Sequence, residues 1–291
     1  IDKTYLELKG GCVCHVYGGG NNVTVRVNTT LNIANESCDL LTLAQQYLAG
    51  QPGYAGMTDE EKAAGGAEIL GYYQQKVQLN PFQSNLDTYA YNFARIYGGN
   101  NKAEMAIRPT WNLQKGIIRD LYSGGNRGSM TCPEGLLLDI KPKVSDSLQI
   151  YNVFGGCRMA DVKPTVNGEY IPCTNLPGYN FPNELSARTL IRKGRITNVY
   201  GGNDITGTVY GGNAVGIYTT VYGDVYGGGN GAYAYTDNDD LKNTLCNDFY
   251  YSTSGYTSPI DALNAHRPNA EQVSIRLAGT SASEPTVIAG S

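Results

Sequence analysis

Two histidines, His15 and His266, and seven cysteines bound the acid–base and nucleophilic chemistry open to this chain. Cys14-His15 is the obvious thiol–imidazole neighbour pair, but adjacent residues on a strand point to opposite faces. His15 is therefore read as structural, and His266, which precedes Arg267-Pro268, as a loop residue. No nucleophile-elbow, P-loop or zinc-protease helix motif occurs. Glycan cleavage needs two carboxyls facing each other ~5–9.5 Å apart. Asp120, Asp139, Asp161 and Asp204 fall near expected strand ends and are the candidates, with solvation or corner capping as their ordinary role. The run Thr236-Asp237-Asn238-Asp239-Asp240 is rich in hard-cation ligand atoms and reads first as a solvated acidic loop. No metal ligands are assigned and no cofactor is expected.

Tyrosine supplies a different chemistry, ring stacking. The word aliphatic–aromatic–Gly–Gly–(Gly)–Asn recurs along the chain. It appears as Val16-Tyr17-Gly18-Gly19-Gly20-Asn21, Ile96-Tyr97-Gly98-Gly99-Asn100 and Leu121-Tyr122-Ser123-Gly124-Gly125-Asn126. It returns as Val153-Phe154-Gly155-Gly156-Cys157, Val199-Tyr200-Gly201-Gly202-Asn203, Val209-Tyr210-Gly211-Gly212-Asn213 and Val225-Tyr226-Gly227-Gly228-Gly229-Asn230. If each aliphatic faces inward, the rings face outward. Tyr97, Tyr122, Tyr200, Tyr210 and Tyr226, with Tyr17, are then candidates for a ladder. Such a ladder either stiffens a sheet through cross-strand packing or offers a platform to sugar rings.

The elements that would carry these residues follow from the repeat. Constant words with variable gaps are what a solenoid produces, because extra residues become loops between equivalent strands. The fold expected is all-β, a parallel β-helix (solenoid) with an α-helical insert. Ahead of the word, Ile118/Leu121, Ile150/Val153 and Ile196/Val199 are spaced by three, which breaks strand alternation and implies a bend. Asp120, Asn152 and Asn198 share the bend position and are expected to form a structural corner, in the left-handed conformation that Asn and Asp tolerate. Val23, Val25 and Val27, and Val273, Ile275 and Leu277, alternate as strands do, and Leu136–Ile140 reads as a buried strand.

Residues 38–93 differ. Leu40, Leu41, Ala44, Tyr47 and Leu48 have helical spacing, and Thr58-Asp59-Glu60-Glu61 opens a second helix as a capping box. Gly65-Gly66 weakens that second helix by about 1 kcal/mol per glycine. The division expected is 1–37 as first solenoid strands, 38–93 as a helical insert packed on the solenoid through Leu41, Leu48, Leu70 and Tyr73, and 94–291 as the main β-helix with long loops and C-terminal strands.

Charged residues are 16% of the chain and the net charge is −4, with no basic cluster. That argues against nucleic-acid binding, and no apolar run reaches the ~20 residues of a transmembrane segment. The 37 glycines and 23 tyrosines suit turn-rich β structure. Cys12, Cys14, Cys38, Cys132, Cys157, Cys173 and Cys246 match no zinc spacing. Buried apolar thiols are the first reading, and one or more disulfides of an exported protein the second.

The Val-Tyr-Gly-Gly-Asn words with long variable inserts resemble the repeat-rich surface proteins of Bacteroidetes-type bacteria, and more loosely adhesin and autotransporter β-helices. The resemblance covers residues 16–22 and most of 96–231. It implies an extracellular or cell-surface structural protein, an adhesin, scaffold or filament subunit, with no catalytic activity. The alternative is a polysaccharide-binding or polysaccharide-cleaving β-helix. Asp146-Ser147-Leu148 is similar to the O-glycosylation word of those bacteria, which makes Ser147 a candidate glycosylation site. Both chain ends alternate as strands do without an evident cap. End-to-end homo-assembly, or continuation in a longer chain, is therefore expected, with glycans as possible further partners.

Overall fold

The structure, a computed structural model, describes residues 1–35, 38–76, 89–90, 92–173, 184–231, 261, 265 and 267–277. Within them the chain is mostly β-strand, and its two larger sheets are parallel throughout. In the first sheet Lys3–Leu8 pairs with Asn28–Ala34, which pairs with the start of Pro109–Tyr122. The end of that long strand lies between Phe93–Tyr97, itself paired with Val13–Tyr17, and Leu148–Phe154. Arg195–Tyr200 and Val225–Tyr226 extend the same row. The second sheet stacks Leu136–Ile140, Ala187–Ile191, Asn213–Ile217 and Val273–Leu277. A third row is a file of parallel single bridges, Met105 to Met130 to Val162 to Val209, continued where Thr208–Val209 pairs with Asn269–Ala270.

Side chains that face inward on one strand meet their register partners on the next. Leu31, Ile96, Ile118, Leu138, Ile150, Ile191, Val199 and Val215 belong to one continuous buried cluster. Ile118 and Leu121 are both fully buried despite their spacing of three, so the chain does bend between them. The bend is not left-handed at Asp120, Asn152 or Asn198: among the described non-glycine residues positive φ occurs at Asn167 and Glu184. The strands run on through the bend, and the three side chains bond to one another instead. A second correction concerns Val23–Val27, which is not a strand. Val25 is fully buried there while Val23 and Val27 face solvent.

The glycine words form the turn out of the ring-bearing row. The glycines two residues after each ring, Gly19, Gly99, Gly124, Gly156, Gly202 and Gly228, chain together, each N–H donating to the carbonyl of the next at 2.9–3.3 Å. An added Cβ at Gly99 would lie 2.9 Å from Gly125 Cα and 2.5 Å from Met130 Sδ, whereas at Gly228 it would meet nothing within 4 Å.

The insert holds two helices, α1 (Leu40–Ala49) and α2 (Asp59–Lys76). Asp39 caps α1 by accepting from the Leu41 and Thr42 N–H groups at 3.0 and 3.3 Å. Thr58 and Glu61 complete a reciprocal capping box on α2 at 2.8 and 3.2 Å. The Asp39 cap sets the phase of α1 so that Leu40, Ala44 and Leu48 are buried and Leu41 turns out to solvent. Leu48 meets α2 at Gly65, where a Cβ would come within 3.3 Å of both its methyls. Gly65 thus costs helix propensity and permits a close helix crossing. Leu40, Leu70 and Tyr73 gather around Cys12, next to the Val13–Tyr17 strand.

Candidate functional site

Tyr17, Tyr97, Tyr122, Phe154, Tyr200 and Tyr226 occupy one register position in six successive passes. Their ring centroids follow one another at 4.7–4.9 Å, and adjacent planes differ by 6–13°. That interval is the ~4.7–4.9 Å distance between paired strands, so the backbone ladder itself sets the stacking. Each offset pair adds roughly 0.5–1.5 kcal/mol beyond area burial. The central rings are enclosed: Tyr97 and Tyr122 are 1% exposed and Phe154 2%.

A polar row lies two residues before the rings: His15, Arg95, Asp120, Asn152, Asn198 and Asp224. His15 Nε2 is 3.3 Å from Arg95 Nη1, and Arg95 Nε is 3.5 Å from Asp120 Oδ2. Asn152 Nδ2 donates to Asp120 Oδ1 at 2.8 Å, Asn198 Nδ2 to Asn152 Oδ1 at 3.0 Å, and the Asp224 N–H to Asn198 Oδ1 at 3.1 Å. A second polar row lies four residues after the rings: Asn21, Asn101, Asn126, Arg158, Asp204 and Asn230. Asn101 donates to Asn21 and Asn126 to Asn101, both at 2.7 Å. Arg158 donates to Asn126 at 3.2 Å, and Asn230 to Asp204 at 3.0 Å. Asp204 Oδ2 also accepts the Tyr122 hydroxyl at 2.7 Å, reaching past Phe154, which has no hydroxyl. Arg158 and Asp204 are 5% and 2% exposed, the charged centre of an otherwise amide row.

Burial is the first cause raising Tyr97, Tyr122 and Tyr200; carboxylates and phenols add to it at Tyr122 and Tyr200, while Arg158 and Arg95 oppose it at Tyr97. Tyr200 is pushed up to about 12, and Tyr97 and Tyr122 higher still. Burial would lower Arg95, but Tyr97, Tyr122, Asp120 and Asp204 around it leave it raised. Unfolded tyrosine ionises near ~10. Below that pH both states keep the phenolic proton, and the ladder's contribution is fully present. Above it the unfolded chain alone releases protons, so stability falls as pH rises towards the folded values. A titration followed by tyrosinate absorbance and circular dichroism should show the ladder phenols ionising together with loss of β signal. Ionisation of every tyrosine near pH ~10 with the fold intact would contradict the buried stack.

The structure separates the residues that the sequence grouped. Tyr97 and Tyr122 cannot serve as sugar platforms, because neighbouring rings cover both faces of each. Tyr200 stacks between Phe154 and Tyr226, and Tyr226 closes the described ladder. Tyr210 is elsewhere: its word turns from the bridge row into the second sheet, with Gly211 and Gly212 at φ +65° and +99°. Asp120 is held by Asn152, Arg95 and Arg119, and Asp139 by Lys141 and Arg192 at 2.7 Å each. Asp161 accepts the Thr208 N–H at 2.8 Å. The four carboxylates thus sit in four different rows, each tied to protein groups. Ser147 Oγ lies 2.7 Å from the Gln114 carbonyl and 2.6 Å from that of Val144, in a 3-10 turn. The 236–240 run and His266 lie outside the described residues. Among those described, no cluster of three metal-ligating side chains occurs and no helix is long and apolar enough to cross a membrane.

Sequence reasoning missed Arg95, Asn101 and Arg158. Counting two back and four forward from each ring would have found them. Cys12 is disulfide-bonded, while Cys132 and Cys157 are fully buried thiols pushed up by burial to about 12. No family model, curated protein or solved structure matches the chain.

Proposed function

We propose that the chain winds as a parallel β-helix and acts as a structural protein of the cell surface or extracellular space, an adhesin, scaffold or filament subunit without catalytic activity. The observation that carries this reading is the ladder. Rings and polar side chains are used up on one another from pass to pass, which stiffens a rod and leaves the carboxylates bonded. The Cys12 disulfide supports export, since such bonds persist in oxidising compartments. The resemblance to bacterial repeat surface proteins points the same way, and Ser147 remains the proposed glycan attachment point.

Among the described residues Lys3–Leu8 and Val273–Leu277 are the outermost strands of their sheets, and Val273 and Ile275 are 46% and 43% exposed. Such edges template further strands, supplied by more of the same chain or by a second copy stacked end to end. Light scattering and negative-stain imaging of the purified protein should give rods that lengthen with concentration. Compact monomers at every concentration would sink the filament form. Protease treatment of intact cells should remove the protein, and survival of the full chain would sink the surface location.

A further inference from the structure

On the bridge row, away from the ring ladder, a cleft of about 460 Å³ is lined by Asp161, Thr208, Tyr210, Arg267, Pro268 and Asn269. Its size falls in the ~300–1,000 Å³ range of ligand sites. The lining is fixed from several directions. Asp161 Oδ1 is held by the Thr208 N–H at 2.8 Å. The Tyr210 ring is braced by Tyr170, centroids 5.7 Å apart, and by the Lys163 ammonium 5.0 Å from its centre. Gly211 makes that brace possible, because a Cβ there would collide with the Tyr170 hydroxyl. Burial, then Asp161 and Glu271, raise the Tyr210 phenol, so it keeps its proton and remains a donor at neutral pH.

We propose that this cleft is a binding subsite for one neutral pyranose ring of a glycan chain. A pyranose presents an apolar C–H face and an equatorial rim of hydroxyls. Tyr210, half-buried and lining the cleft, offers the part of its ring that Lys163 and Tyr170 leave uncovered. Asp161, Arg267 and Asn269 offer an acceptor, donors and an amide that does both, within one cleft. With the Lys163 ammonium and the Glu271 carboxylate beside Tyr210 counted alongside Asp161 and Arg267, acidic and basic groups around the cleft balance, which favours a neutral sugar over a phosphate or a uronate. The inference goes beyond a structural role and is independent of it, since a monomeric rod would carry the same cleft.

The test uses cellotetraose, maltotetraose and mannotetraose as probes in saturation-transfer NMR and titration of the full chain. At least one should bind. Tyr210→Ala should weaken that binding roughly 10-fold or more, and Asn269→Ala several-fold, while Tyr210→Phe, which keeps the ring, should stay within about 3-fold. Tyr222→Ala, at an exposed tyrosine outside the cleft, should change nothing. Absence of transfer to all three probes at about 10 mM would overturn the proposal. So would binding that survives Tyr210→Ala or is lost with Tyr222→Ala.

Discussion

Replacing Asp204 with Ala is expected to lower the melting temperature by about 6–20 °C. Asp204 is almost fully buried and accepts from the Tyr122 hydroxyl and the Asn230 amide. Arg158 precedes it in the polar row: the Asp204 and Ile205 N–H groups bond to the Cys157 and Arg158 carbonyls at 3.0 and 2.8 Å. Removing one member of a buried charged set costs about 3–5 kcal/mol, because the other charge stays desolvated. At about 2–4 °C per kcal/mol for a chain near this size, the shift follows. Asp204→Asn keeps an acceptor and should fall between the two. The double variant Arg158→Met with Asp204→Leu removes both charges and should regain part of the loss, the Tyr122 hydroxyl and Asn230 amide still lacking their acceptor. Equal melting temperatures for Asp204→Ala and the wild type would show that the row carries no net charge pairing.

The second large effect is a contrast between two glycines of the same word. Gly99→Ala should cost about 2–3 kcal/mol, or roughly 5–10 °C, because its methyl would press on Gly125 and Met130. Gly228→Ala should be neutral or slightly stabilising, by up to about 1 kcal/mol, because the same position in the last described word is open. Neither glycine has positive φ, so the difference measures close approach between passes and not backbone freedom. Thermal melts of the two single variants decide it. Equal losses would mean that the conformation of the turn, not the neighbouring pass, requires glycine.

The rings and the Asp120, Asn152 and Asn198 row were legible because each copy places them at the same distance from the buried aliphatic. The asparagine of the word was not. Three glycines or Ser-Gly-Gly put Asn21, Asn126 and Asn230 fourth after the ring, in the stacked polar row. Two glycines put Asn100 and Asn203 third, where both are fully buried. There they accept the Gly20 and Cys157 N–H groups at 2.7 and 2.8 Å and donate to the Glu104 and Ala160 carbonyls at 3.0 Å. One repeated word therefore encodes two different jobs, told apart only by counting. Tyr210 misled in the same way. Its letters match the ladder, but its glycines adopt positive φ and its ring belongs to another row. The exposure of Leu41 depended on where Asp39 starts the helix, which spacing alone leaves open by a residue or two.

Asn35 and Asn92, on either side of the helical excursion, both donate their side-chain amides to the Gly11 carbonyl at 3.3 Å. The Asn35 N–H bonds to the Lys115 carbonyl at 3.0 Å, and Asn92 Oδ1 accepts the Ile117 N–H at 2.9 Å. The neck of the excursion is thus stitched shut by the neighbouring strands, and beyond the stitch Leu40, Leu70 and Tyr73 of the helices meet the rest of the protein around Cys12. Closing a longer or shorter loop at a pinned neck changes the free energy by only about 0.6 kcal/mol per doubling of length. In evolutionary terms the corner works as a socket: its contents can be exchanged, enlarged or diversified by recombination, provided the contact at Cys12 is kept, without renegotiating the sheets that hold them.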